Sequence, residues 1–503
     1  MAKKNPEYGT LILEKTSREV SLNVSNRKVA DVVAEFKRIS IHGDHLAAND
    51  GELFEDKRRF RYTHVNRRRF NLAVNHFQGL QRLRSGKYLA ISGADFTEPT
   101  SHIFVIKMGS RKARGAWGSN LLFSKRPKAS DNLVKTIPLN RKFPHGGGMS
   151  AVGDILAVPL EGDNESKIVF LNMADPEDPT QLDCDIQRPK IAKAGAVAFA
   201  KLLNGKFVCG VWREVKKKPV GRLDFYISET TDLRDGFGKS QAGSKETRNV
   251  ATWSYGDMKF SNSADDRGPG YQSINFIEPI NKDAGNGVTR LYMIATENGS
   301  DLSPLQGGPD LVDLIEVLIP EDISNAPGKI PTLTKLDTKQ FFCNREYCNL
   351  DAGGGIYVDP VSGFSLYSCY HWRSDDMIKL SEFRAEPDPK SEVANIDNAW
   401  INLYEDRDFG GRCLSVLGRR ESTLPDYGKL FVQGGGFDNK VSSVKYQIPQ
   451  GFTYRLYQNK SFAGEQQGQD VIDLNGTGKI QKISNLKAKF PNLENKISSS
   501  QYV

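Results

Sequence analysis

Between residues 70 and 383 the chain writes one sentence five times. Each copy has a glycine-bearing opening, an apolar run, a turn with Gly or Pro, a second apolar run, a polar cluster and a third run. HFQGLQRLRSGKYLAISGAD (76–95) leads to HIFVIKM (102–108), and HGGGMSAVGDILAVPLEGD (145–163) to KIVFLNM (167–173). AGAVAFAKLLNGKFVCGVWRE (194–214) leads to RLDFYIS (222–228). YQSINFIEPI (271–280) is followed, after an insertion, by TRLYMIATENGS (289–300) and DLIEVLI (313–319). DAGGGIYVDPVSGFSLYSCYHW (351–372) leads to DMIKLSEF (376–383). Runs this short, bounded by turn residues, read as strands.

Fourth strands follow most copies, at 132–139, 180–186, 248–255 and 333–342. A strand alone exposes its unpaired backbone edge. Four-stranded units repeated around an axis hide those edges, which is the logic of a β-propeller. The last copy has no fourth strand after it, so GTLILEKTSREVSLNV (9–24) is expected to close the ring. The expected fold is all-β, with five blades, or six if residues 27–70 hold a degenerate one. A large two-sheet sandwich is the plainer alternative.

In a propeller the start of each first strand and the end of each second strand meet at one mouth of the axis. Those positions hold His76, Gln78 and Asp95; His145 and Glu161; Glu214; Gln272 and Glu297; Asp351 and His371. Three of the chain's seven histidines fall there. One reading is a polar funnel for a small molecule, a carbohydrate or a metal held by imidazoles and carboxylates. Paired acids in such a funnel would also suit general acid–base chemistry, as in glycoside cleavage. The blander reading is that glycines relieve crowding while polar loops face water. No nucleophile elbow, phosphate loop or HExxH helix is present.

Composition narrows the field. Charged residues make up 26% and apolar ones 38%, which is ordinary for a globular chain and excludes a disordered one. The net charge of +8 is spread over a large chain; the densest basic stretch, Lys57–Arg61 followed by Arg67–Arg69, lies beside Glu52, Glu55 and Asp56. Nucleic acid is therefore an unlikely partner. The opening MAKKNPEYG resembles no export signal, so a cytoplasmic location is expected, with non-classical secretion left open. No run of about 18 apolar residues predicts a membrane span. The six cysteines lack a framework spacing and are expected as thiols; Cys343 and Cys348 are near enough to pair, with no second pair at zinc spacing.

A second repetition lies near the end. YEDRDFGG (404–411) and YQNKSFAG (457–464) share aromatic, four residues, Phe, one residue, Gly. FDNKVSSVKY follows the first and GKIQKISNLKA the second. Residues 399–489 resemble a βγ-crystallin domain, two Greek keys sharing one core. The resemblance implies calcium, held by hard oxygens. The string Asp438-Asn439-Lys440-Val441-Ser442-Ser443 matches that family's pattern. Asp438, Asn439, the backbone carbonyl at Lys440 and the Ser442 hydroxyl are the implied ligands, with carbonyls near Glu405 and Gln458. The second string, taken as Ile480–Asn485, keeps only Ser484, so one working and one impaired site are expected. Residues 384–398 read as a linker and 490–503 as a frayed tail. Two functions compete: a ligand-binding propeller carrying a calcium module, or an enzyme working in the funnel.

Overall fold

The computed structural model describes residues 23–40, 43–49, 75–95, 100–108, 131–140, 142–189, 192–214, 221–261, 270–297, 310–325, 328–341, 348–350, 353–359, 363–371, 377–384, 396, 399–409, 413–417, 423–427, 431–432, 435–464 and 469–503. They are nearly all β, and no helix among them is long and apolar enough to cross a membrane.

The expected units appear as antiparallel sheets. His76–Arg82, Tyr88–Ala94, Ser101–Lys107 and Asp131–Asn140 pair in order. So do Ala196–Lys201, Phe207–Glu214, Gly221–Ile227 and Ala251–Ser254. Ile155–Glu161, Ser166–Asn172 and Thr180–Gln187 carry two short inner pieces, His145–Gly146 and Ser150–Val152. Tyr271–Pro279, Val288–Glu297, Asp310–Pro320 and Thr332–Phe341 form another unit. Gly354–Asp359, Gly363–Cys369 and Met377–Phe383 form the last. This is a β-propeller, its first strands facing inward.

The ring closes differently from expectation. Asp44–Asn49 supplies the fourth strand to Met377–Phe383, and Ala48 and Asn49 run parallel with Asp131 and Asn132. Residues 9–22 lie outside the described residues, and the place beside Met377–Phe383 that 9–24 was expected to take is held by Asp44–Asn49. Two of its side chains explain the choice: Leu46 and Ala48 pack on Ile378 and Leu380. Residues 23–29 lie against the inner strands instead. Asn23 O accepts from Asp154 N at 2.8 Å, and Lys28–Val29 pair with Glu278–Pro279. Of residues 27–70, where a degenerate extra unit was considered, 50–70 lie outside the described residues, and the described ones hold a helix, Val32–Arg38. Asp31 caps it, and Phe36 is its buried anchor.

Glycine lets the first strands approach one another. A Cβ on Gly79 would stand 2.7 Å from Gly147 O, and one on Gly355 would overlap Leu80 O. Direct bonds join neighbouring units: Gly148 N–H donates to Gly195 O at 3.0 Å, and Val197 N–H to Gly148 O at 2.9 Å. Gly355→Ala must therefore push two backbones apart. It is expected to cost about 1–3 kcal/mol or more, as core overpacking does, read as a lower urea midpoint. An unchanged midpoint would mean that the inner strands yield freely.

Residues 399–503 have their own core, from Ile401 to Ile497. Trp400–Tyr404 pairs with Cys413–Leu417 and Ser443–Gln447, and Thr453–Tyr457 with Val471–Asn475 and Ser499–Tyr502. Ile480–Ile483 crosses into the first sheet, beside Ser443–Gln447. The tail expected to fray is thus structural: Leu493 and Ile497 are fully buried, and Ser499–Tyr502 is a sheet strand. Of the expected linker, only Arg384 and Ile396 are described.

Candidate functional site

Strand parity gathers the histidines. His76 opens its strand, and its neighbour Phe77 donates its N–H to His371 O at 2.9 Å. The two imidazoles stack at 4.5 Å with 4° between their planes. His145 lies tilted against His76 at 5.6 Å. Its register partner is Glu161, and His145 Nδ1 stands 3.2 Å from Glu161 Oε2. The other carboxylate oxygen, Oε1, accepts from Ala194 N–H at 2.5 Å.

These surroundings separate the charges. Burial opposes the Glu161 carboxylate, but His145, Lys193 and the Ala194 N–H outweigh it and hold Glu161 below its ordinary range. Glu214, at the end of Phe207–Glu214, is exposed as a residue; its carboxyl is raised by partial desolvation and then by the Glu161 charge, an effect that its contact with solvent weakens. His371 is driven well below 6.5 by burial, then by His76 and His145. The residue as a whole is only partly covered, but its Nδ1 is shut off from solvent.

Gln78 and Gln272 meet nearby, Gln78 Nε2 donating to Gln272 Oε1 at 3.2 Å. Gln78 Oε1 is buried with no hydrogen-bond partner among the described residues. Asp95 is fully buried, and its N–H donates to Pro144 O. Glu297 ends its strand, but its side chain lies outside the described residues, as does Asp351. Sequence reading passed over Lys193 and the Ala194 N–H because neither lies at a strand end. The Ala194-Gly195 opening just before residue 196 was the available signal.

The two repeated phrases near the end fold as twins. Tyr404 packs on Phe409 and Tyr457 on Phe462, both with centroids 5.6 Å apart. The turn residues have positive φ in both: Asp408 at 55° and Phe409 at 65°, Ser461 at 56° and Phe462 at 63°. Phe409 N–H donates to Ser443 Oγ at 3.1 Å, and Phe462 N–H to Ser499 Oγ at 3.2 Å.

That match identifies the second string and corrects the sequence reading. Tyr457 lies opposite Ser499 just as Tyr404 lies opposite Ser443. The partner of Asp438–Ser443 is therefore Glu494-Asn495-Lys496-Ile497-Ser498-Ser499, not Ile480–Asn485. Residues 480–483 are a strand, Asn485 caps the helix Leu486–Lys489, and Ser484 O accepts from Asp408 N–H at 2.8 Å. Gln458 follows its hairpin tyrosine, and its N–H donates to Asp470 O.

The strings cross as a pair. Asn439 N–H donates to Ile497 O at 3.1 Å and Asn495 N–H to Val441 O at 3.0 Å. Ser442 Oγ donates to Asn495 Oδ1 at 2.8 Å, and Ser498 Oγ to Asn439 Oδ1 at 3.2 Å. A cavity of about 570 Å³ opens there, lined by Glu405, Asp406, Arg407, Asn439, Lys440, Ser442 and Asn495. Among the described residues no three His, Cys, Asp or Glu side chains converge as a metal cluster. The donors in these loops are hydroxyl, amide, carbonyl and single carboxylate oxygens. Asp438 Oδ1 is buried there without a hydrogen-bond partner among the described residues. An all-oxygen set with an unspent carboxylate oxygen suits a hard cation such as calcium.

No protein-family model matches the chain, and no curated protein matches it. Among solved structures, an α-L-arabinanase of Penicillium chrysogenum is 9% identical, with a TM-score of 0.30, over 62% of this chain and 94% of its own. An α-L-arabinofuranosidase of Fusarium graminearum is 9% identical, with a TM-score of 0.29, over 61% and 93%. A fructofuranosidase of Schwanniomyces occidentalis is 9% identical, with a TM-score of 0.34, over 85% and 91%. Similarity this distant transfers no residue of theirs to this chain.

Proposed function

We propose that the propeller, read as five-bladed, binds a small polar ligand of carbohydrate type at the mouth formed by His76, His145, His371 and Glu161. One observation carries this reading: three imidazoles from three separate sheet units, and the Glu161 carboxylate paired with one of them, meet within a few ångströms at strand ends. Imidazole faces and edges suit a ring bearing hydroxyls, and Glu161 with the Gln78–Gln272 pair supplies fixed acceptors and donors.

A second reading, acid–base catalysis on a glycoside, is favoured by the split between the two carboxylates. Glu161 is held below its ordinary range, and the exposed Glu214 is shifted in the opposite direction. That is the division between base or nucleophile and acid that such chemistry needs.

The C-terminal residues are read as a βγ-crystallin module that binds calcium through the strings Asp438–Ser443 and Glu494–Ser499. Asp438, Asn439, the Lys440 carbonyl, Ser442 and the carbonyls near Glu405 and Gln458 would hold the ion, with Glu494 and Ser498 taking the part first given to Ser484. Calcium would cross-link the two halves of the module.

Native mass spectrometry of the full chain with a panel of oligosaccharides tests the funnel. Bound, unchanged sugar that is lost in His76→Ala supports recognition. A product mass that vanishes in Glu161→Gln or Glu214→Gln supports catalysis. Neither signal across the panel would remove the funnel reading.

A further inference from the structure

The fourth residue of each repeated phrase is basic: Arg407 in YEDR and Lys460 in YQNK. Each reaches across to the acid that opens the other hairpin's string. Arg407 Nη2 stands 2.9 Å, and Nε 3.0 Å, from Glu494 Oε1. Lys460 Nζ stands 3.6 Å from Asp438 Oδ2 and 3.0 Å from Asp426 Oδ1. The cations are about half exposed, at 49% and 52%, while Glu494 and Asp438 are more covered, at 13% and 27%. Lys440 adds a third cation, 3.7 Å from Glu405 Oε1.

We propose that Arg407 and Lys460 are resident competitors of calcium, each neutralising the carboxylate that the ion would use. This rests on the calcium reading above and adds its regulation. A divalent ion entering either loop needs carboxylate oxygens that now face a guanidinium or an ammonium. Both straps are long, half-exposed side chains, which swing away at little cost. The ion therefore displaces them rather than being shut out, but it binds against their charge. The module stays assembled without calcium because the straps replace part of what the ion would cross-link. It responds only when calcium is abundant.

Calorimetric titration of the full chain with calcium, alongside its calcium-dependent melting shift, tests the proposal. Arg407→Gln/Lys460→Gln is expected to bind calcium about tenfold tighter than the unmodified chain, since each removed charge repels a divalent ion a few ångströms away. Arg407→Lys/Lys460→Arg keeps both charges and is expected to match the unmodified chain. Circular dichroism confirms that the variants fold. Equal or weaker calcium affinity in the glutamine variant would overturn the competition while leaving the calcium reading standing. No calcium binding by any of the three chains would overturn both.

Discussion

Asp313→Ala is expected to lower the stability of the propeller by about 3–5 kcal/mol, the range for removing one partner of a buried ion pair. Asp313 and Lys335 are both fully buried, and Lys335 Nζ stands 2.7 Å from Asp313 Oδ2. The same carboxylate accepts from Tyr271 OH and from Thr338 Oγ1, each at 2.6 Å. The rings of Tyr255 and Phe260 flank the ammonium at 5.6 and 5.7 Å. The pair spans Asp310–Pro320 and Thr332–Phe341, where the register slips between Leu314 and Ile315. Without Asp313 the ammonium keeps its burial and loses its counter-charge. Asp313→Leu combined with Lys335→Met removes both charges and is expected to recover most of the loss. Urea unfolding followed by tryptophan fluorescence reads both variants. A cost below about 1 kcal/mol for Asp313→Ala, the ordinary worth of an exposed pair, would show that water reaches the lysine.

The second large effect is an acid sensitivity centred on His371. In the unfolded chain this histidine takes up its proton near 6.5. In the fold, burial and the neighbouring His76 and His145 hold that event far lower. The contribution of the neutral ring is complete above pH 6.5. Below it the unfolded chain gains a proton that the folded chain refuses, and stability falls by about 1.4 kcal/mol per pH unit. The fall ends where folded His371 protonates. Glu161, also depressed, acts in a separate and lower window. Its contribution is complete above 4.5 and is lost as pH drops through its lowered value. Urea midpoints between pH 7.5 and 5 should therefore decline in the unmodified chain and flatten in His371→Gln. Parallel slopes for the two chains would place the acid sensitivity elsewhere.

Both effects sit at positions of unequal visibility in the sequence. His76, His145 and His371 were assigned to one mouth from strand parity, because side chains and strand ends in a sheet alternate by rule. Nothing local marks Asp313 and Lys335. They read as ordinary charged residues in DLIEVLI and LTKLDTK, and only packing against Tyr271 and Thr338 turns them inward. The second of the two crossed strings shows the same limit. QKIS at 481–484 and NKIS at 495–498 both end in Lys-Ile-Ser. Which one serves Tyr457 depends on which strand lies beside it, and that strand is Ser499–Tyr502.

Alternating apolar runs, glycine-bearing openings and the doubled aromatic phrase are enough by themselves to determine an all-β chain of repeated units with a separate paired hairpin region. Those features act over a few residues, where backbone geometry and side-chain direction leave little choice. Tertiary structure alone decided that Asp44–Asn49 closes the ring, that residues 490–503 complete the last core, and that each basic hairpin residue straps the opposite string. These are pairings between segments far apart in the chain. Several candidate strands and strings satisfy the local rules equally well, and the choice among them is made by which one buries its apolar side chains and satisfies its backbone against a distant partner.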